Sequence, residues 1–165
     1  MKLYYYTKTN DHTSTDTDNM ILMSLERYCK KPQSAFKVTR NENGKPFIEG
    51  FEAYVGVSHT DKLVVIAVDT QNFGIDCEEV TRNVNNKERI AKKYYSSNEL
   101  EYVFKDNISE NISELRFLEI WVKKEAYVKF TGTGMKDMKN CDTFSLKGSF
   151  EKVDYGNNII YIYKE

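Results

Sequence analysis

The strongest constraint on how this chain folds is a stretch with no polar side chain in it. Residues 63–68 read Leu-Val-Val-Ile-Ala-Val, a run of strand formers too short for a helix of ordinary length. Gln71 and Asn72 make a turn, and residues 73–77 return as a second strand. That strand carries Phe73-Gly74-Ile75-Asp76-Cys77-Glu78, which puts two carboxylates at alternate positions and hence on one face. Two acids so close repel unless a divalent cation, a basic side chain or solvent sits between them. The residues on either side bear on that choice.

Upstream, residues 1–6 read as a strand rather than a signal peptide, because they lack a long apolar run. Residues 10–19 form a polar run, after which Ile21, Leu22, Leu25, Tyr28 and Cys29 recur with helical spacing. Asp16, Thr17 or Asp18 is available as the cap, and Pro32 stops the helix after about Lys31. Residues 36–39 alternate like a strand, and the turn at residues 41–44 leads into Lys45-Pro46-Phe47-Ile48. Taken alone, Gly44-Lys45-Pro46 reads as an ordinary turn with a solvated lysine. Val55-Gly56-Val57-Ser58-His59-Thr60 is an apolar strand ending in small polar and imidazole side chains. These strands bring Ser58 and His59 to the same sheet as Asp76 and Glu78, or to an adjoining one. His59 fits either a bond to a backbone carbonyl or, with Ser58, donation to an anionic oxygen.

Downstream, residues 86–95 read as a charged helix, and Ser96-Ser97-Asn98-Glu99 as a capping box that starts another. Residues 106–113 read as a polar connection. A long helix over residues 114–130 places Leu118, Val122 and Ala126 on a buried stripe. Trp121, Glu125 and Lys129 form the neighbouring stripe, so Glu125 and Lys129 share a face as a surface ion pair or as groups serving a metal-bound phosphate. Gly132-Thr133-Gly134 ends the helix. Residues 143–146, 149–153 and 159–163 read as short strands. Strands and helices thus recur on both sides of Asp76, which gives an α+β class with two similar lobes meeting at the acidic pair.

Charge excludes some functions. With 24 basic and 25 acidic residues, the chain offers no broad surface for nucleic acid or an anionic membrane. Three cysteines without a C-x-x-C pair disfavour a zinc cluster or a disulfide framework and suit a reducing cytoplasm. No segment has the length and apolarity of a membrane span.

In this order, Gly44-Lys45-Pro46, Val57-Ser58-His59, Gly74-Ile75-Asp76-Cys77-Glu78, Trp121-x-x-Lys124-Glu125-Ala126-x-x-Lys129 and Gly132-x-Gly134 resemble the motifs of the two-lobed, monomeric 4′-phosphopantetheinyl transferases. The resemblance implies one domain over residues 1–165, with lobes of about 1–75 and 76–165 related by a pseudo-twofold. It also implies transfer of phosphopantetheine from coenzyme A to a serine of an apo acyl or peptidyl carrier protein. Asp76, Glu78 and Glu125 would hold magnesium, or manganese in its place. Glu125 would act as general base and Lys129 at the departing phosphate. Lys45, Pro46, Ser58, His59, Lys124 and Lys129 would contact the coenzyme. Against that pattern the N-terminal half lacks a basic stretch, Asp18-Asn19 stands where an arginine is expected, and Cys77 replaces an aliphatic residue. A relative that binds without turnover, and a metal-dependent nucleotide pyrophosphatase, are the competing readings.

Overall fold

The computed structural model describes residues 1–49, 51–82, 84–105 and 108–165. The apolar run becomes β5 (Leu63–Asp69), buried along its whole length. It lies between β1 (Lys2–Thr7) and β4 (Tyr54–His59) and is antiparallel to both. On one face Val64, Ile66 and Val68 pack with Ile21 and Leu25 of α1 (Ser14–Cys29). On the other, Val65 and Ala67 pack with Ile75, Cys77, Ile160 and Ile162. Covering both faces removes the polar alternation of a half-exposed strand.

The returning strand, β6 (Gly74–Glu79), does not pair with β5. Its ladder is with β8 (Asn158–Lys164), which also pairs with β7 (Ser149–Tyr155), giving a second antiparallel sheet in the order β6-β8-β7. A separate hairpin of β2 (Lys37–Arg40) and β3 (Pro46–Glu49) flanks the first sheet. The two three-stranded sheets meet through the apolar layer of β5, β6 and β8, and Lys164 Nζ reaches Asp69 Oδ2 across it at 2.8 Å. The architecture is α+β.

Three helices serve the second sheet. Lys87–Tyr94 forms α2 and Ser97–Phe104 forms α3, the latter with the capping box of Ser96 and Glu99 in place. Helix α4 (Glu110–Thr131) buries Leu118, Val122 and Ala126 against β6 and β8, each buried side chain of that size contributing about 1.5–3 kcal/mol for leucine or valine. The helix and β6 touch backbone to backbone at Gly74, where a Cβ would fall 1.8 Å from Ala126 O. Among the described residues no helix is long and apolar enough to cross a membrane.

Three element boundaries differ from the sequence reading. Helix α1 starts at Ser14 with Thr13 as its cap, because Asp16 is the acid of a capping box rather than the cap: Thr13 N donates to Asp16 Oδ2 at 2.8 Å and Asp16 N to Thr13 Oγ1 at 3.3 Å. It ends at Cys29, where Lys30 turns left-handed. Helix α4 starts at Glu110 behind the Ser109 cap, so most of the expected connection over 108–113 is helical; its members 106 and 107 lie outside the described residues. The first turn is polar and leaves no apolar period to read. Residues 143–145 are turn and 146 is irregular, not strand, because Asp142 gathers the turn, its Oδ1 accepting from Phe144 N and its carbonyl from Ser145 N.

Candidate active site

The site is assembled where β4 passes β6. The two strands belong to different sheets and are joined by a side chain: Ser58 Oγ donates to Asp76 Oδ1 at 2.7 Å and accepts from Cys77 N at 3.0 Å. Both Ser58 and Asp76 are buried, so each polar atom must be answered from within the protein. Lys129 answers from α4, its ammonium donating to Asp76 Oδ1 at 2.6 Å, Ser58 Oγ at 3.1 Å and Val57 O at 3.4 Å. Glu125 lies one helical turn earlier on the same face. Lys129 therefore pairs with the strand acid rather than with Glu125.

Glu78 follows Asp76 on the same face of β6, and the Arg82 guanidinium pairs with it. Burial raises the Glu78 carboxyl above its ordinary value; the Asp76 charge adds to the rise and Arg82 opposes it. Glu125 is raised in the same way, by burial first and by Asp76 second, against the pull of Lys129. Burial works against the Lys129 ammonium, but Asp76 outweighs it and the pKa is raised, which keeps the group charged at neutral pH. The thiol between the acids, Cys77, is pushed up to about 12 by burial and is chemically quiet.

Asp76, Glu78, Glu125, Lys129, Ser58 and His59 all line one open cleft of about 700 Å³. Among the described residues His59 makes no carbonyl bond; its Nδ1 lies 3.2 Å from Lys8 Nζ. Burial, then Lys8, Lys129 and His12 hold its imidazole below the ordinary value. A second, smaller cavity of about 240 Å³ adjoins, sharing Arg40, Gly44, Val57, Glu125 and Lys129 with the first, and here the structure places Lys45 and Pro46. Lys45 is half-buried and donates to Phe130 O at 3.2 Å and Asn72 Oδ1 at 3.3 Å. Asn43 Nδ2 bonds Gly132 O at 2.8 Å, tying the β2–β3 turn to the end of α4.

Lys124 is a correction. It is fully buried on the opposite side of α4, paired with Glu99 at 2.8 Å and donating to Met138 O and to Cys141 O. Glu99 in turn accepts from Ser96 N and Thr143 N, so the pair fastens α3, α4 and the segment after it. No face of Lys124 is left for a phosphate. The signal was in the helical period: its neighbours four residues away, Ile120 and Val128, are both apolar and both buried.

The sequence reading missed Lys8, His12, Thr17, Arg40 and Arg82. The first four line the cleft, Lys8 and His12 from the segment between β1 and α1, Thr17 from α1 and Arg40 from β2, and Arg82 closes on Glu78 from the loop after β6. None belongs to a local motif. Asp18, standing where the resemblance expects an arginine, pairs with Arg40 at 2.5 Å.

Among the described residues no three acidic, histidine or cysteine side chains converge as a ready-made metal cage. The acids instead face Lys129 and Arg82. The donor set still suits a hard divalent cation: carboxylate oxygens on a buried face, with two of the carboxyls raised by burial and mutual repulsion.

Comparison with known proteins gives the family. The 4′-phosphopantetheinyl transferase superfamily profile matches residues 72–160, which include β6 and α4 and reach the start of β8. The 4′-phosphopantetheinyl transferase gsp of Aneurinibacillus migulanus is 34% identical over 104 residues, 63% of this chain and 41% of that protein. The 4′-phosphopantetheinyl transferase Sfp of Bacillus subtilis (strain 168) is 27% identical over 146 residues, 87% of this chain and 61% of that protein. The 4′-phosphopantetheinyl transferase HetI of Nostoc sp. is 29% identical over 111 residues, 64% of this chain and 46% of that protein. The chain thus spans about half the length of the curated relatives it matches. With the matched segment carrying Asp76, Glu78, Glu125 and Lys129, this chain belongs to the 4′-phosphopantetheinyl transferase superfamily.

Proposed function

We propose that this protein transfers the 4′-phosphopantetheine group of coenzyme A to a serine hydroxyl of an apo acyl or peptidyl carrier protein, with magnesium or manganese as cofactor and adenosine 3′,5′-bisphosphate as the other product. We further propose that it acts as a cytoplasmic monomer, a single domain whose lobes of about 1–75 and 76–165 meet at the cleft. The observation that carries the reading is the convergence of Ser58, Asp76 and Lys129, from three elements, in a cleft shared with His59, Glu78 and Glu125.

Asp76, Glu78 and Glu125 are the residues that would hold the cation. When bound there it would neutralise charge on the pyrophosphate. The work of this chain's own side chains follows from their states. Glu125, raised by burial and by Asp76, is a stronger base than an ordinary carboxylate and takes the proton of the attacking serine hydroxyl. The serine oxygen forms its bond to the pantetheine-bearing phosphorus as the bond to the bridging pyrophosphate oxygen breaks. Lys129, held charged, donates to the oxygen that departs. His59 and Lys8 present donors to the coenzyme's phosphates, and Lys45 and Pro46 line the adjoining cavity for its nucleoside end. Holding the two substrates at one seam supplies much of the acceleration.

Intact mass of an apo carrier protein, after incubation with this protein, coenzyme A and magnesium, tests the reading. The expected result is a gain of one phosphopantetheine arm that a chelator abolishes. Coenzyme A bound and intact with no gain on any of several carriers would instead show a relative that binds without turnover. Coenzyme A cleaved in the absence of a carrier would show a pyrophosphatase.

A further inference from the structure

The two acids of β6 are neutralised in different ways. Lys129 is fastened to Asp76 by a helix and by two further acceptors, Ser58 Oγ and Val57 O. Arg82 comes from the loop between β6 and α2, its side chain about half exposed, and among the described residues its guanidinium bonds to Glu78 alone. Its other surroundings are apolar: it borders a pocket of about 40 Å³ with Val84, Ile90, Phe117, Leu118 and Trp121. An arginine can keep its methylene stem against such a surface while its head group moves.

We propose that Arg82 is a displaceable counter-cation, which occupies Glu78 until a divalent ion takes the carboxylate and sends the guanidinium into the cleft mouth. The inference rests on the metal reading of Asp76, Glu78 and Glu125 given above. A divalent ion on Glu78 would compete with the guanidinium for the one negative charge of the carboxylate, and the two cations would repel. Of the two resident bases Arg82 is the one free to leave, because a half-exposed pair is weakly held whereas Lys129 has three acceptors. Arg82 thus lowers the apparent affinity for the ion, and its guanidinium leaves Glu78 when the ion arrives.

The test is Mn²⁺ binding to the full chain without coenzyme A, read from the electron paramagnetic resonance of free Mn²⁺, for wild type, R82Q, R82K and E78Q. R82Q is expected to bind about two- to fivefold more tightly than wild type, the range set by a weak exposed ion pair. R82K, which keeps the charge and loses the fork, is expected to fall between. Titration with Mg²⁺ should move the Arg82 Nε resonance, identified by its loss in R82Q. If wild type binds Mn²⁺ and E78Q weakens it, but R82Q binds no more tightly than wild type, the displacement idea fails and the metal site stands. Tighter binding by R82Q with an unmoved Arg82 resonance in wild type also overturns displacement, leaving only long-range charge. If neither wild type nor R82Q binds Mn²⁺, the metal reading fails and this inference with it.

Discussion

Gly74→Ala tests whether the site depends on the bare contact between β6 and α4. The added Cβ would fall 1.8 Å from Ala126 O and 2.4 Å from Phe130 N, backbone atoms that cannot rotate aside. Ordinary contact begins near 3.4 Å, so the helix must withdraw by roughly 1.5 Å or the strand must buckle, an overpacking that costs about 1–3 kcal/mol and sometimes more. Withdrawal carries Lys129 and Glu125 away from Asp76 and opens the 2.6 Å contact between Lys129 and Asp76. A misplacement of about 1 Å can cost on the order of 100-fold in rate. Gly156→Ala is the control: that glycine sits at φ +56 in the β7–β8 turn with nothing within 4 Å, so the change brings backbone strain of about 1–3 kcal/mol at a distance from the cleft. Urea unfolding followed by the single tryptophan, Trp121, gives the stabilities, and the carrier-protein mass assay gives the rates. Both variants should lose stability, and G74A alone should lose transfer. A G74A protein with wild-type unfolding midpoint and rate would refute the packing argument.

Three further outcomes follow from the same structure. Lys124→Met leaves the Glu99 carboxylate buried without its cation and should cost about 3–5 kcal/mol in urea unfolding; unchanged stability with lost transfer would return Lys124 to the phosphate site. Glu125→Gln should raise the melting temperature at pH 7. The folded-state value of Glu125 lies above the unfolded one, so its ionised form costs stability; that cost is absent below the unfolded value of about 4.3 and complete above the folded one. The gain should therefore shrink toward zero as pH falls through that window, and a pH-independent difference would contradict it. Of the three thiols, Cys29 is half-buried, while Cys77 and Cys141 are buried with values raised to about 12 and about 11. A disulfide reagent at pH 8 should label Cys29 in the native protein and the other two only in denaturant, and native labelling of Cys77 would show that β6 opens.

Local periodicity made the long helix legible. The i+4 spacing that sorted Leu118, Val122 and Ala126 from Trp121, Glu125 and Lys129 is the sorting found in α4. The box of Ser96 and Glu99 was equally readable, because its bonds close within four residues. The partners of the acids were not. Asp76 meets Lys129 and Ser58, and Glu99 meets Lys124, through the stacking of sheets and helices, which spacing along the chain does not encode. The pairing of β6 was hidden for the same reason, since a strand following a turn reads as a hairpin whether it joins the sheet before it or founds another.

The ladder of β6 sets the order in which the chemistry can exist. Asp76 stands opposite Tyr161 and Glu78 opposite Ile159, so among the described residues the strand bearing both acids has β8 as its ladder partner. Such distant pairing is slow to form, because the intervening chain must be gathered first. Until it forms, the acids belong to a strand without a ladder partner, held by Ser58 and by the packing of Gly74 on α4. The cleft therefore depends on a pairing made across some eighty residues, and a chain in which β8 has not docked would carry both acids on an unpaired strand.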